Sequence, residues 1–354
     1  MNYIKIIYPK NPNLNHCPLT FTEALVREFD RDKVRVDKID KISFVIGIEL
    51  IKQMMAINRQ DTFSLFFFST QPEYIILVFA LRCVSYLTGR DLKVYHQMHE
   101  PRYEPGRASL KISLMLYWSN WLMAGLTDKI ILSSQLALSK GKTFIAPEKI
   151  VQINLTFLDN NHQELAKSLV DLKRSWEQLK TISLIGIAAK DKNPEGFLSL
   201  INIANRDYPQ RTQGIRAGWD KNVKLDYRHD KITHFSGYLT DDAKKFLSLL
   251  THIIVIPYHA STQSGVVVES LSYGKIVIVN DIPAFHHLKD LKSVFIVDFN
   301  DREKIANCLH QIFAMSADEY EQCYWESIEY FDRHNSVTYL QTRLSELFYD
   351  NKLS

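Results

Sequence analysis

The sequence predicts an α/β chain made of two doubly wound parallel-sheet domains in tandem. Three observations predict it. The chain has 354 residues, enough for about two domains. Short apolar, β-branched runs alternate along it with segments of helical spacing, the signature of βαβ units. The alternation pauses once, at the polar stretch DNNHQELAKSLVDLKRSWEQLK near Leu155–Lys180, which reads as the junction.

In the first half, Ile4–Tyr8 is a buried strand bounded by Pro9, Asn11, Pro12 and Asn13. Thr20–Asp30 has helical spacing. Phe63–Phe68 and Lys93–Met98 are further strands, the latter entered through Gly89-Arg90-Asp91. Ala108–Met123 is helical, and Lys129–Ser133 is a fourth strand. In the second half, Thr181–Gly186, Gly214–Gly218, Ile232–Ser236, His252–Pro257, Lys275–Asn280 and Ser293–Asp298 read as strands. Helices are expected at Glu195–Asn205, Asp241–Leu250 and Gly265–Tyr273, the last closed by Gly274. The segment Asn335–Asp350 is amphipathic. The expected boundaries are 1–156, 157–330 and a C-terminal helix, 331–354, returning to the first domain.

Composition narrows the function. Hydrophobic residues make up 46% and charged residues 23%, which excludes disordered, collagen-like and coiled-coil chains. Cys17, Cys83, Cys308 and Cys323 are dispersed with no CxxC pair, as expected of free thiols in a reducing compartment. The start, MNYIKIIY, has no apolar run behind a basic residue, so no secretory leader is expected. The longest apolar stretch, near Tyr74–Leu87, contains Arg82 and falls short of the ~20 residues a membrane helix needs. A cytoplasmic protein is therefore expected. The net charge of +3 gives no case for nucleic acid. Residues 1–156 hold 20 Lys+Arg against 14 Asp+Glu, and the remainder 23 against 26. This asymmetry fits either different partners for the two halves or chance surface composition. No Gly-x-Gly-x-x-Gly follows the first strand, and neither a Walker A nor a Gly-x-Ser-x-Gly sequence occurs. Dinucleotide oxidoreductases, P-loop NTPases and α/β-hydrolases are disfavoured accordingly.

Open parallel sheets bind ligands beyond the carboxyl ends of their strands, so the segment HIIVIPYHASTQSGVVVESLSYGKIVIVND, residues 252–281, carries the strongest signal. A strand ends at Pro257, a polar loop follows, and a helix starts at Gly265. Its first turn offers unpaired N–H groups and the positive end of the helix dipole, a site for phosphate. Glu269 lies one turn further in and could accept both hydroxyls of a ribose. On spacing alone it serves equally well as a cap of its own helix or as a solvated carboxylate.

The same segment resembles the nucleotide-sugar loop of the retaining GT-B glycosyltransferases of glycosyltransferase family 4. The likeness runs through Pro257, Ser264-Gly265, Glu269 and Gly274-Lys275-Ile276-Val277-Ile278. It extends in order through QMHEP with His99, DKIILSS, ISLIGIAAKDKNPEGFLSLINIA and FSGYLTDDAKKFLSLLTH, roughly residues 90–300. The resemblance implies two Rossmann-like domains facing across a cleft. It implies that Glu269 binds the donor ribose, that Lys192 holds the diphosphate, and that His99 touches the donor sugar from the opposite domain. Ser264 and Gly265 would contact phosphate or sugar, with Thr262, Gln263 and Val266 completing the donor loop and Lys190 beside it. Neither a metal nor another cofactor is implied, since Lys192 and the helix dipole neutralise the leaving diphosphate.

Some positions depart from the family pattern. The family's first glutamate falls at Ser261, and the loop is one residue shorter, so Thr262 or Gln263 fills the place. Ile187 stands where an arginine is usual, with Lys190 the nearest substitute, and residues 9–18 have no glycine. A divergent subgroup with Gln-Ser-Gly in the donor loop is the expected placement. The implied activity is transfer of a sugar, from a UDP-sugar by preference, to a glycan or lipid-linked acceptor with retention, in bacterial surface polysaccharide or lipopolysaccharide synthesis. A non-catalytic partner subunit and a nucleotide-sugar epimerase of the same fold are the alternatives.

Two weaker signals remain. His96 and His99 lie three apart on a strand, on opposite faces, and so do not make a metal pair. Leu110, Leu114, Tyr117, Trp118 and Trp121 follow helical spacing beside Arg102, Arg107 and Lys111. Such a helix suits the inner face of an anionic membrane as a peripheral contact. Apolar stripes ordinarily face cores, and a core helix is expected.

Overall fold

The computed structural model describes residues 2–8, 34–38, 44–59, 61–67, 72–98, 109–220, 231–261 and 264–349, with Thr20, Ala24 and Pro101. The chain divides into two compact units, Met1–Leu158 with Asn335–Ser354, and Asp159–His334. The second expected boundary, 330/331, falls inside a helix that runs to His334, and the division comes where that helix ends.

In the first unit, strands β1 (Asn2–Tyr8), β2 (Val34–Lys38), β3 (Thr62–Phe67), β4 (Asp91–Gln97), β5 (Lys129–Leu132) and β6 (Ile150–Gln152) form a parallel sheet ordered β2-β1-β3-β4-β5-β6. Helices α1 (Phe44–Ala56), α2 (Pro72–Thr88), α3 (Leu110–Leu126) and α4 (Gln135–Gly141) alternate with the strands. The expected helix at Thr20–Asp30 lies almost wholly outside the described residues. One core joins Leu50, Met54, Leu65, Leu77 and Leu81. Another joins Ile4, Phe66, Tyr95 and Ile131 to Leu340, Leu344 and Phe348 of the C-terminal helix. Phe66 and Tyr95 stack with ring centroids 4.5 Å apart. The chain re-enters this unit through Asn335, whose side chain donates to Leu155 O at 2.6 Å and whose carbonyl accepts from Phe157 N at 3.0 Å.

Helix α3 is not the core helix expected from its spacing. Only Asn120, Met123 and Ala124 of it are buried, while Leu114, Met115, Trp118, Trp121 and Leu122 are exposed. The helix is apolar all round, so its sequence does not say which face packs.

The second unit contains α5 (His162–Ser175), β7 (Lys180–Ile185), α6 (Pro194–Asp207), β8 (Thr212–Gly218), β9 (Ile232–Ser236), α7 (Asp241–Leu250) and β10 (Ile253–Ile256). There follow α8 (Gly265–Ser272), β11 (Ile276–Asn280), β12 (Val294–Val297), α9 (Arg302–Ala314) and α10 (Ala317–His334), and α11 (Val337–Tyr349) closes the first unit. Its parallel sheet is ordered β12-β11-β10-β7-β8-β9. Strands β10 and β11 are buried throughout, which explains their continuous Ile/Val runs. Polar residues start the helices: Asn161, Thr240 and Asp301 accept from first-turn N–H groups of α5, α7 and α9. Gly274, at φ +69°, ends α8 where a Cβ would lie 2.7 Å from the Tyr324 ring.

Strand order in this sheet reverses at β7, which pairs with β8 on one side and β10 on the other. The chain moves outward from β7 through β8 to β9, then outward on the other side from β10 through β11 to β12, and sheets of this kind bind ligands at the carboxyl ends of the two central strands.

Candidate functional site

Two loops leave the sheet at that switch point. The first follows β7 and contains a turn of 3₁₀ helix, Lys190–Lys192. The second follows β10 and leads through Tyr258 to the start of α8. His259 N donates to Asp191 O at 2.9 Å and fastens one loop to the other.

Tyr258 is the hub of the site. It is buried, 6% exposed, just past Pro257. The Lys192 ammonium sits 3.8 Å from the centre of its ring, within cation–π range. Its hydroxyl interacts with the Ser264 side chain. Burial raises the Tyr258 hydroxyl well above its ordinary pKa; Ser264 and Arg216 oppose the rise, while Asp191 and Glu269 add to it. It is therefore a neutral donor at physiological pH. Asn280 at the end of β11 supports it, donating to Tyr258 O at 2.9 Å and accepting from Phe299 N at 3.1 Å.

Ser264 caps α8, its hydroxyl accepting from Val267 N at 3.4 Å. The N–H groups of Gly265 and Val266 precede the first intrahelical bond. Glu269 is half-buried one turn along the axis. Its carboxylate also adds to the raised pKa of Tyr273, which burial raises most. The ammonium thus lies over the buried phenol, Ser264 at the helix start meets its hydroxyl, and the Glu269 carboxylate stands one turn further along α8. Positive groups come first, and the acceptor lies a turn deeper.

Behind the β7 loop the backbone is unusually close. Gly186 and Gly218 end β7 and β8 at φ +113° and +128°, and a Cβ on Gly218 would lie 2.0 Å from Gly186 O. Arg216, wholly buried, donates to Gly186 O at 3.1 Å and to Asp220 Oδ1 at 2.7 Å. Asn193, at φ +48°, turns the loop into α6, and its side chain accepts from Gly196 N at 3.1 Å. Pro194 sits at the first helical position.

Of the residues singled out from sequence, Lys192 and Ser264 meet at Tyr258, and Gly265, Val266 and Glu269 follow Ser264 along α8. Lys190 is exposed on the same turn. Thr262, Gln263 and His99 lie outside the described residues. Tyr258 and Arg216 escaped the sequence reading. The only signal for Tyr258 is an aromatic residue immediately after a strand-ending proline, and Arg216 is indistinguishable in sequence from an outward-facing strand residue. His96 is buried. Among the described residues, no cluster of three His, Cys, Asp or Glu side chains could hold a metal ion.

No protein-family model matches the chain, and no curated protein sequence does. Solved structures do match. HepE of Anabaena, in complex with UDP and glucose, superposes with a TM-score of 0.67 at 12% identity, covering 98% of this chain and 99% of that one. Two neighbouring structures concern trehalose-6-phosphate enzymes. The Escherichia coli one, bound with UDP-2-fluoro glucose, has a TM-score of 0.66 at 11% identity over 99% and 98% of the chains. The Burkholderia xenovorans synthase, in complex with glucose-6-phosphate, has 0.65 at 10% identity over 98% and 99%. The chain has the GT-B fold. Within that fold, the site around Tyr258 belongs to the C-terminal unit and lies where its sheet reverses order.

Proposed function

We propose that this chain is a glycosyltransferase that takes a sugar from a UDP-sugar. The observation that carries this reading is the set Lys192, the start of α8 and Glu269, gathered at the sheet's switch point. Ribose diol at Glu269 and diphosphate between Lys192 and the α8 N–H groups would place a nucleotide along the helix start. The three fold neighbours support the donor class. HepE was solved with UDP-glucose and the Escherichia coli protein with UDP-2-fluoro glucose, and the Burkholderia synthase is described as UDP-forming.

The reaction breaks the bond between the anomeric carbon and the diphosphate oxygen and forms one from that carbon to an acceptor hydroxyl. Lys192 and the helix start stabilise the charge on the departing diphosphate, so the proposal needs no metal. The departing phosphate takes the hydroxyl proton. Retention of configuration, and a glycan or lipid-linked acceptor in surface polysaccharide synthesis, extend the proposal by resemblance to family 4.

The test is thermal melting with UDP, GDP, ADP or CMP, on the wild type and Glu269→Ala, followed by nucleotide release from the matching sugar donor. At about 100 times its dissociation constant a nucleotide should stabilise the protein by about 2.7 kcal/mol. UDP should shift the wild type and not the variant. If none of the four nucleotides shifts the wild type, the reading is removed. Binding without any turnover leaves a non-catalytic partner subunit.

A further inference from the structure

On the first unit, α2 and α3 pack side by side, and both expose apolar residues. On α3 the exposed residues 114, 115, 118, 121 and 122 fall on one stripe, opposite the buried Asn120, Met123 and Ala124. Ile76 (70% exposed) and Phe79 (59%) of α2 continue it. Ile76, Phe79, Trp121 and Leu122 line an apolar cavity of about 650 Å³. Leaving such a surface in water is unusual for a folded protein, and large exposed apolar patches mark a partner or a membrane.

Charge selects between those occupants. Helix α3 has no acidic residue, and α2 has only Glu73. Lys111 is exposed on the α3 stripe near its start, and Lys149 donates to Ala124 O and Gly125 O at its end. The apolar cavity shares Gly125, Leu126 and Lys149 with a second cavity of about 540 Å³. That second cavity is lined by Arg82, Lys93, Lys129 and Lys149 against Asp128 and Glu148. Arg82 is paired with Asp128, which leaves the lysines in excess. Trp118 and Trp121 meet edge to face with centroids 5.8 Å apart. Indole rings suit the boundary between headgroups and acyl chains, because one edge is polar and the body apolar.

From this arrangement we infer that the α2–α3 face docks on an anionic lipid bilayer, α3 lying in the plane of the interface with its stripe in the headgroup–acyl boundary. A helix of 17 residues is too short to span and long enough to lie flat across roughly 25 Å of surface. The excess of lysine supplies attraction to anionic headgroups. The apolar stripe supplies what electrostatics alone would not, resistance to salt. This inference uses no part of the donor site and stands or falls apart from it.

The experiment is co-sedimentation of the full chain with vesicles, of phosphatidylcholine alone or mixed equally with phosphatidylglycerol. Wild type should bind the anionic vesicles and not the neutral ones. Trp118→Ser with Trp121→Ser should weaken that binding on the order of tenfold or more, with an unchanged melting temperature because both side chains are exposed. Lys111→Glu should weaken it by about fivefold or more, an effect that shrinks as salt rises. Three results would overturn the inference. One is no vesicle binding by the wild type. Another is binding that the tryptophan variant retains. The third is a concentration-dependent dimer in solution that the tryptophan variant abolishes, which would assign the face to a second copy of this chain.

Discussion

The two ends of the second unit's sheet use the same residue types in opposite ways. At the carboxyl end, Lys192 is half-buried over the Tyr258 ring, and Ser264 and Glu269 stand beside it. At the amino end, Lys180, His252 and Lys275 are buried among Trp176, Tyr320 and Tyr324. Burial lowers the pKa of both Lys180 and Lys275 to about 7. A lysine in the first setting is half-buried against an aromatic ring, whereas one in the second is wholly buried and its charge is a liability. Position along the strand, not residue identity, decides which lysines are wholly buried.

The amino end should fail first in acid. His252 Nδ1 accepts from Thr181 N at 3.0 Å, and Nε2–H faces Leu172 O and the Ser175 hydroxyl, each at 3.1 Å. Protonation would set two N–H groups against each other at Nδ1. Burial, above all, lowers the His252 pKa to about 3. Below pH 6.5 the unfolded chain binds a proton that the native one refuses, so stability falls as pH falls from 6.5 toward 3. The full effect is on the order of 5 kcal/mol. His252→Gln should be less stable at pH 7 and should flatten the acid limb of denaturant-derived stability. An acid limb identical in wild type and variant would break the contrast.

At the carboxyl end the sensitivity is steric. Gly218→Ala forces a Cβ against Gly186 O and holds alanine at φ +128°. A loss of about 3 kcal/mol or more is expected, read from chemical denaturation. Gly237→Ala is the control: its φ of +111° is also strained, but nothing stands within 4 Å of the added Cβ, so its loss should be smaller. Equal losses at both glycines would mean that strain alone, without the close approach, governs this end.

The ligand itself gives the sharper test of function. Lys192→Ala should cost about a hundredfold in nucleotide release or UDP affinity, roughly 2.7 kcal/mol. It should leave the unliganded melting temperature nearly unchanged. Unaltered binding in Lys192→Ala would dissolve the distinction between the two ends.

Much of this contrast was legible in the sequence, and the reasons differ by element. Strands β10 and β11 stood out because a strand buried on both faces is a continuous Ile/Val run bounded by Pro257 and Gly274. Ser264 and Glu269 were singled out by their spacing around the start of a helix, and Lys192 by resemblance alone. β2 was not, because VRVDK carries three charges at a sheet edge. α10 was missed although Tyr320, Cys323, Tyr324, Ser327, Ile328 and Phe331 form a helical stripe; its interior is aromatic and polar rather than aliphatic. The exposure of α3 was illegible, since a helix apolar on every side looks buried whichever face packs. Tyr258 was hidden because buried aromatics are ordinarily core. Its role comes from the loop that lays Lys192 over it.

The subtlest difference lies within the amino end, between its two buried lysines. Lys275 is wholly buried, its Nζ makes no hydrogen bond among the described residues, and the Tyr324 ring lies 5.5 Å away. Lys180 is equally inaccessible, yet its Nζ donates to Trp176 O at 2.7 Å and lies 4.0 Å from the Trp176 ring. Below pH 7 Lys275 is charged in both states, and the native state bears the whole desolvation cost. Between pH 7 and about 10 the unfolded chain holds a proton that native Lys275 has lost, so wild-type stability rises with pH through that window. Above it the buried Tyr320 and Tyr324, whose pKa values burial raises, reverse the trend. Lys275→Met keeps the length of the stem and removes the cation. It should stabilise the protein by about 4 kcal/mol at pH 6, and the gain should largely vanish near pH 10, where both proteins bury a neutral side chain. Lys180→Met should gain less, because it sacrifices a hydrogen bond and a cation–π contact. Denaturation of the three proteins at pH 6 and pH 10 reads all of this. A Lys275→Met protein less stable than wild type at both pH values would mean that the buried ammonium is structurally required and that the amino end, too, depends on its charge.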